Sequence, residues 1–119
     1  MKYGLDFQSK YAVCLLALGK TQEAMQVLQF ILSEDAKHVE ANTNIGFAYM
    51  QFGQNTMAYQ YMKKAQELNP DYEQNLINLA VWYHNNHQDQ LTQKTLQHLL
   101  KKHPDNEQAR AMLMDLQRS

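Results

Sequence analysis

The sequence predicts an all-α fold of seven helices, arranged as three antiparallel pairs with one helix left over. Three observations carry this reading. Residue types recur with a period of thirty-four: Gly19 and Gly53, Ala24 and Ala58, Tyr49 and Tyr83, Pro70 and Pro104. Apolar residues return at helical spacing within each period, as in Leu76, Leu79, Ala80 and Tyr83, which makes a stripe wide enough to bury. Helix-ending signals keep step with the period, Gly19 and Gly53 after first helices, Asn69-Pro70 and His103-Pro104 after second helices.

The elements follow in order. In the first unit the pattern places helices over 5–18 and 21–33, joined at Gly19, where the chain can take a positive backbone angle. The second unit repeats this over 39–52 and 56–68 around Gly53, and the third over 72–86 and 91–102, with His87 where the others have glycine. Within each unit a small residue of the first helix, Ala12, Gly46 or Ala80, lets the second helix approach, and Ala24 and Ala58 supply the facing small surface. A closing helix over 106–117 repeats the first-helix pattern through Ala109, Leu113 and Met114 and shows Arg110, Asp115 and Gln117 to water, the polar cap that a stack of repeats needs. The expected organisation is one domain over 5–117, with units at about 5–38, 39–72 and 73–106.

Composition narrows the function. Hydrophobic residues at 45% and charged residues at 19% are those of a folding chain. A net charge of -1 with no basic block argues against nucleic acid as a partner. No stretch approaches the length of a membrane span and residues 1–10 lack a signal-like apolar core, so membrane insertion is not expected and a cytoplasmic location is. Cys14, the only cysteine, stands where Ala48 and Trp82 stand in the other units and is expected to be a buried small hydrophobe. His84, His87, His98 and His103 offer no convergence of three or four ligands, and there is no phosphate loop or nucleophile elbow. No metal, no cofactor and no catalysis are expected.

The repeat resembles the tetratricopeptide family, whose unit carries Trp-x2-Leu-Gly-x2-Tyr, then Ala-x3-Phe, then Pro. The middle unit fits through Ile45-Gly46, Tyr49, Ala58, Met62, Ala65 and Pro70. The first fits through Tyr11-Ala12, Leu15, Gly19, Ala24 and Leu28, and the third through Leu79-Ala80, Tyr83, Leu96 and Pro104. Asn42 replaces the Trp, Thr92 the second-helix Ala and Ala36 the Pro.

The resemblance implies a right-handed superhelical stack, an αα-solenoid, whose concave face is lined by the first helix of each pair. The family's groove-facing positions are the second, fifth, sixth, ninth, twelfth and thirteenth of each unit. They fall here on Asp6, Ser9, Lys10, Val13, Leu16 and Ala17, on Glu40, Thr43, Asn44, Phe47, Met50 and Gln51, and on Gln74, Ile77, Asn78, Val81, His84 and Asn85. Asn44 and Asn78, one period apart, suit the backbone of a bound peptide, or else bond locally. Val13, Phe47 and Val81, also in period, suit its apolar side chains, or else pack between neighbouring helices. Lys10, Met50, Gln51 and His84 complete the candidate binding set. Relatives that clamp acidic chaperone tails use Lys, Arg and Asn; the clamp positions here read Ser9, Val13, Asn44, Gln74 and Asn78, of which only Asn44 matches, so such a tail is not the expected ligand.

The expected function is a non-catalytic adaptor or assembly scaffold that binds an extended or helical segment of another protein. The alternative is a structural spacer or homo-oligomerisation unit, as in the carboxy-terminal piece of a longer repeat protein. Phe7 stands where Ala41, Asn75 and Ala109 stand later, a position that meets a preceding unit, so Tyr3 and Phe7 are expected to be partly exposed. Self-association through them, or tucking against Tyr11, would cover them.

Overall fold

The computed structural model describes residues 4–118, and among these the chain forms seven α-helices: α1 (Leu5–Ala17), α2 (Thr21–Glu34), α3 (Val39–Gln51), α4 (Asn55–Leu68), α5 (Glu73–Asn85), α6 (Asp89–Lys102) and α7 (Glu107–Arg118). The fold is all-α, and no helix end lies more than two residues from its expected place. The largest difference is the start of α6 at Asp89 in place of residue 91. The apolar pattern points to Leu91, but the Gln88 carbonyl accepts from the Thr92 N–H at 2.9 Å and Asp89 puts its charge at the positive end of the helix.

One backbone device ends all three first helices. Gly19 and Gly53 take φ of +77° and +76°, and His87 takes +60°. At each, two reversed hydrogen bonds satisfy the last carbonyls: Lys20 N–H to Leu15 O at 2.8 Å with Gly19 N–H to Leu16 O at 3.1 Å, Gln54 to Tyr49 at 2.9 Å with Gly53 to Met50 at 3.0 Å, and Gln88 to Tyr83 at 2.9 Å with His87 to His84 at 3.1 Å. The first two second helices, α2 and α4, end in side-chain turns. Asp35 Oδ1 accepts from Lys37 N–H at 3.0 Å, and Asn69 Oδ1 from Asp71 N–H at 3.1 Å.

The chain resolves into two compact units, one through Leu68 and one from Asn69. The first holds α1 to α4. Its core draws Ala12, Leu15 and Leu16 from α1, Ala24, Met25, Leu28 and Ile31 from α2, and Ala41, Ile45 and Ala48 from α3. Burying each of the larger aliphatic side chains contributes about 1.5–3 kcal/mol. Helices α3 and α4 close on each other at Gly46, where an added Cβ would lie 2.9 Å from Met62 Cγ and 3.2 Å from the Ala58 carbonyl oxygen. Only glycine allows that approach. Asn42, in the family's Trp position, is fully buried and donates to the Ala36 and His38 carbonyls at 3.2 and 2.9 Å, tying α3 to the turn before it.

The second unit holds α5 to α7, with Leu76, Ile77 and Ala80 of α5, Leu96 and Leu99 of α6 and Ala109 of α7 as its core. Here one expectation is corrected. Met114 is 49% exposed, and Met112 and Leu113 pack on the core in its place. Successive helical residues are 100° apart, so the buried stripe that begins at Ala109 runs through Met112, Leu113 and Leu116 and passes Met114 by.

The expected burial of Cys14 is also corrected, since the residue is exposed. Its counterpart Ala48 belongs to the core that α2 and α3 share, whereas α1 packs on α2 and α3 with its other face open among the described residues. That open face carries Phe7, Tyr11 and Leu18 at 58%, 51% and 71% exposure. Tyr3 lies outside the described residues.

Candidate functional site

Helical phase groups the predicted binding residues of the first unit on two faces. Lys10 and Val13, three residues apart on α1, are both exposed, Val13 by 42%. On α3, Asn44, Phe47, Met50 and Gln51 follow at helical spacing. Gln51 is exposed and its side-chain Oε1 accepts from the Thr21 hydroxyl at 3.4 Å, Met50 and Phe47 are half-buried, and Phe47 rests against the core. Asn44 is buried, with 7% of its surface open.

The second unit places Asn78, Val81 and His84 along α5. Asn78 is 2% exposed, and its carbonyl oxygen accepts from the Gln74 amide at 3.1 Å, a bond within the helix. Val81 is half-buried against the core and His84 is exposed.

The fifth-position residues of the wider set behave differently. Ser9, Thr43 and Ile77 are buried, at 0%, 0% and 4% exposure, and do not present themselves to a ligand. Sequence position alone assigned them to the groove; in the structure their side chains turn into the packing.

Three of the histidines have defined partners. His38 Nδ1 accepts from the Ala41 N–H at 3.1 Å, so Nε2 carries the proton and donates to Asp6 Oδ1 at 3.0 Å. The imidazole thereby caps α3 and reaches α1 at once. His98 Nε2 meets Asp71 Oδ1 at 2.8 Å, and His103 Nε2 donates to the Asp71 carbonyl at 3.0 Å, which fixes the turn before α5 against α6 and its end. His84 and His87 stand at the surface. Among the described residues no three His, Cys, Asp or Glu side chains converge on a point that would hold a metal ion. No helix among them is long and apolar enough to cross a membrane.

The second unit also holds a feature that the sequence reading did not assemble. His84, Thr92, Leu96, Met112, Asp115 and Leu116 line an open pocket of about 200 Å³. His84 belongs to the candidate binding set, but nothing in a single periodic pattern joins three helices at one pocket.

Comparison with known families decides what the arrangement belongs to. Two tetratricopeptide repeat models match the sequence, one over residues 7–37 and one over residues 39–72, together more than half of the chain. The chain belongs to the tetratricopeptide repeat family. Among solved structures, this tetratricopeptide protein is similar to the first TPR of Spaghetti (RPAP3) bound to the HSP90 peptide SRMEEVD, at 18% identity and a TM-score of 0.87, over 96% of this chain and 93% of that one. It is also similar to the Yersinia enterocolitica secretion chaperone SycD in complex with a peptide of the translocator YopD, at 13% identity and a TM-score of 0.80, over 95% and 92% of the two chains. A third is the Sgt2 TPR domain from Aspergillus fumigatus, at 15% identity and 0.84, over 96% and 77%. At these identities the likeness is one of fold, and it extends over the third repeat and closing helix. No curated protein matches the sequence significantly.

Proposed function

We propose that this tetratricopeptide protein is a non-catalytic interaction module that binds an extended or helical segment of another protein through its first-helix faces, as an adaptor or assembly scaffold. The observation that carries the reading is the state of Val13, Phe47 and Met50. They are apolar side chains on the first helices of the first unit that remain open or half-open, while their neighbours Leu15, Ile45 and Ala48 are buried. Apolar anchors rimmed by polar groups, here Lys10 and Gln51, are what a partner's side chains bind against. Asn44, buried on the same helix as Phe47 and Met50, would stiffen the floor beneath them, and on α5 the corresponding residues are Val81 and His84, with Asn78 buried beside them on that helix.

Two of the similar structures hold peptides, one of them the acidic HSP90 segment. The corresponding clamp positions in this chain, Ser9, Val13, Asn44, Gln74 and Asn78, include no cation. A tail with two or more carboxylates would lose its hydration there without gaining a charged partner. The ligand of this protein is therefore a less acidic, more apolar segment.

The test is selection from a phage-displayed random peptide library, followed by titration of the enriched peptides. Enrichment of apolar peptides whose affinity falls about tenfold or more in Val13→Glu and in Met50→Glu is the expected result. Equal binding to wild type and both variants would sink the assignment.

A second reading, self-association, is favoured by one specific observation: the open α1 face of Phe7, Tyr11, Cys14 and Leu18. The matching α3 residues Ala41, Ile45 and Ala48 are each 0% exposed.

A further inference from the structure

The first and last repeats differ where a first helix, its second helix and the next first helix meet. In the first unit the twelfth-position residue of α1 is Leu16, 8% exposed and part of the core. Opposite it on α3, Phe47 packs on that core and Ala48 is buried in it. Around α5, α6 and α7 the same three positions hold His84, Asp115 and Leu116. His84 and Asp115 are exposed. Two apolar side chains that close the first junction are thus replaced by two polar ones that stand at the surface, and the space remains as the pocket of about 200 Å³.

The walls of that pocket are apolar where they are deep. Leu96 is fully buried and Met112 packs on the core beside it. Thr92 is 2% exposed, and its hydroxyl donates to the Gln88 carbonyl at 2.9 Å, so its polar atom is already satisfied. Small-molecule sites usually span about 300–1,000 Å³, so this volume suits a single side chain. Met112, with its unbranched thioether, can adjust to the shape of what enters.

We propose that this pocket is a subsite for one aliphatic side chain, of leucine or methionine size, from a partner peptide that carries a basic residue next to it. The inference rests on the peptide-binding reading above and deepens it. The aliphatic choice follows from the first junction, where the protein itself fills the same place with Leu16. The basic neighbour follows from charge: the lining residues include the Asp115 carboxylate and no Lys or Arg. A carboxylate accepts about four hydrogen bonds, so it can take a cation in addition to the interaction it already makes.

The experiment is a methyl and amide NMR titration with three blocked tetrapeptides: acetyl-Ala-Leu-Lys-Ala-amide, and the versions with Ala for Leu and Glu for Lys. The Leu-Lys peptide should shift the methyl signals of Thr92, Leu96 and Met112 to saturation. Replacing Leu by Ala should weaken it about tenfold or more, and replacing Lys by Glu should weaken it measurably. The substitution His84→Leu, which fills the cavity as Leu16 does, should abolish those shifts while raising Tm by a few degrees, which also shows that the variant is folded. Absence of shifts at the three methyls, or their persistence in His84→Leu, would overturn the pocket. Equal affinity for the Glu peptide would overturn the basic neighbour. Shifts confined to Val13, Phe47 and Val81 would overturn the pocket while leaving the broader peptide-binding reading in place.

Discussion

His87 holds a backbone angle that a side chain resists. Its φ of +60° lies in the left-handed region that Gly19 and Gly53 occupy at the same place in their units, and its two reversed hydrogen bonds match theirs in length. For a residue with a Cβ that conformation costs roughly 1–2 kcal/mol, and glycine escapes it at an entropic cost of roughly 0.5–1 kcal/mol. The imidazole is exposed, so packing returns little of the difference. His87→Gly is therefore expected to stabilise the protein by roughly 0.5–1 kcal/mol, seen as a higher urea midpoint with an unchanged slope. A lower midpoint would show that the imidazole makes a compensating interaction.

Two of the helices that open after a repeat, α3 and α7, are held by side-chain caps that also reach backwards. His38 caps α3 and donates to Asp6 on α1; Asn106 accepts from the Ala109 N–H at 2.8 Å and donates to Glu73 Oε2 at 2.9 Å, joining α7 to the start of α5. Because Asn106 does both tasks, Asn106→Ala should cost about 1–2 kcal/mol, measured by chemical denaturation, and the amide protons of the first turn of α7 should lose protection first. An unchanged denaturation midpoint would mean that water replaces both bonds. These ends were largely readable from sequence, since Gly19, Gly53, Pro70 and Pro104 act through backbone terms that depend on no neighbour. The errors arose where the answer depends on a neighbour. Cys14 and Ala48 share a register position, but only the second has a helix over it, and no periodicity reports which positions are covered. Met114 takes the first-helix register position of Gly46 and Ala80, but with no further helix over α7 among the described residues it stays exposed, and Met112 packs on the core. The candidate faces were readable as well, because Val13, Phe47 and Val81 recur in period. The pocket was not, since it arises from a departure from the period, Leu16 giving way to His84, and its consequence appears only when three helices are brought together.

At the scale of the whole molecule, charge and exposed surface act together. A net charge of -1 supplies almost no self-repulsion, so nothing long-ranged opposes contact between two copies. Phe7, Tyr11, Cys14 and Leu18 fall at i, i+4, i+7 and i+11, a single face that runs along α1 to its C-cap residue Leu18. Three of them are large hydrophobic side chains more than half exposed, a contiguous apolar strip of the kind that marks an interaction surface. In α3 the first three corresponding places hold smaller residues, Ala41, Ile45 and Ala48, which lie in the core that α2 helps to form, while the fourth, Phe52, is 43% exposed. On the self-association reading, the mass from light scattering should rise with concentration toward twice that of the monomer. Phe7→Ser and Leu18→Lys should each hold it at the monomer value with an unchanged circular dichroism spectrum, because neither side chain belongs to the core. Cys14→Ser should associate as wild type does, which separates a packed interface from an adventitious disulfide. A wild-type protein that stays monomeric throughout would end this reading and leave the first-helix faces as the surfaces through which the protein meets others.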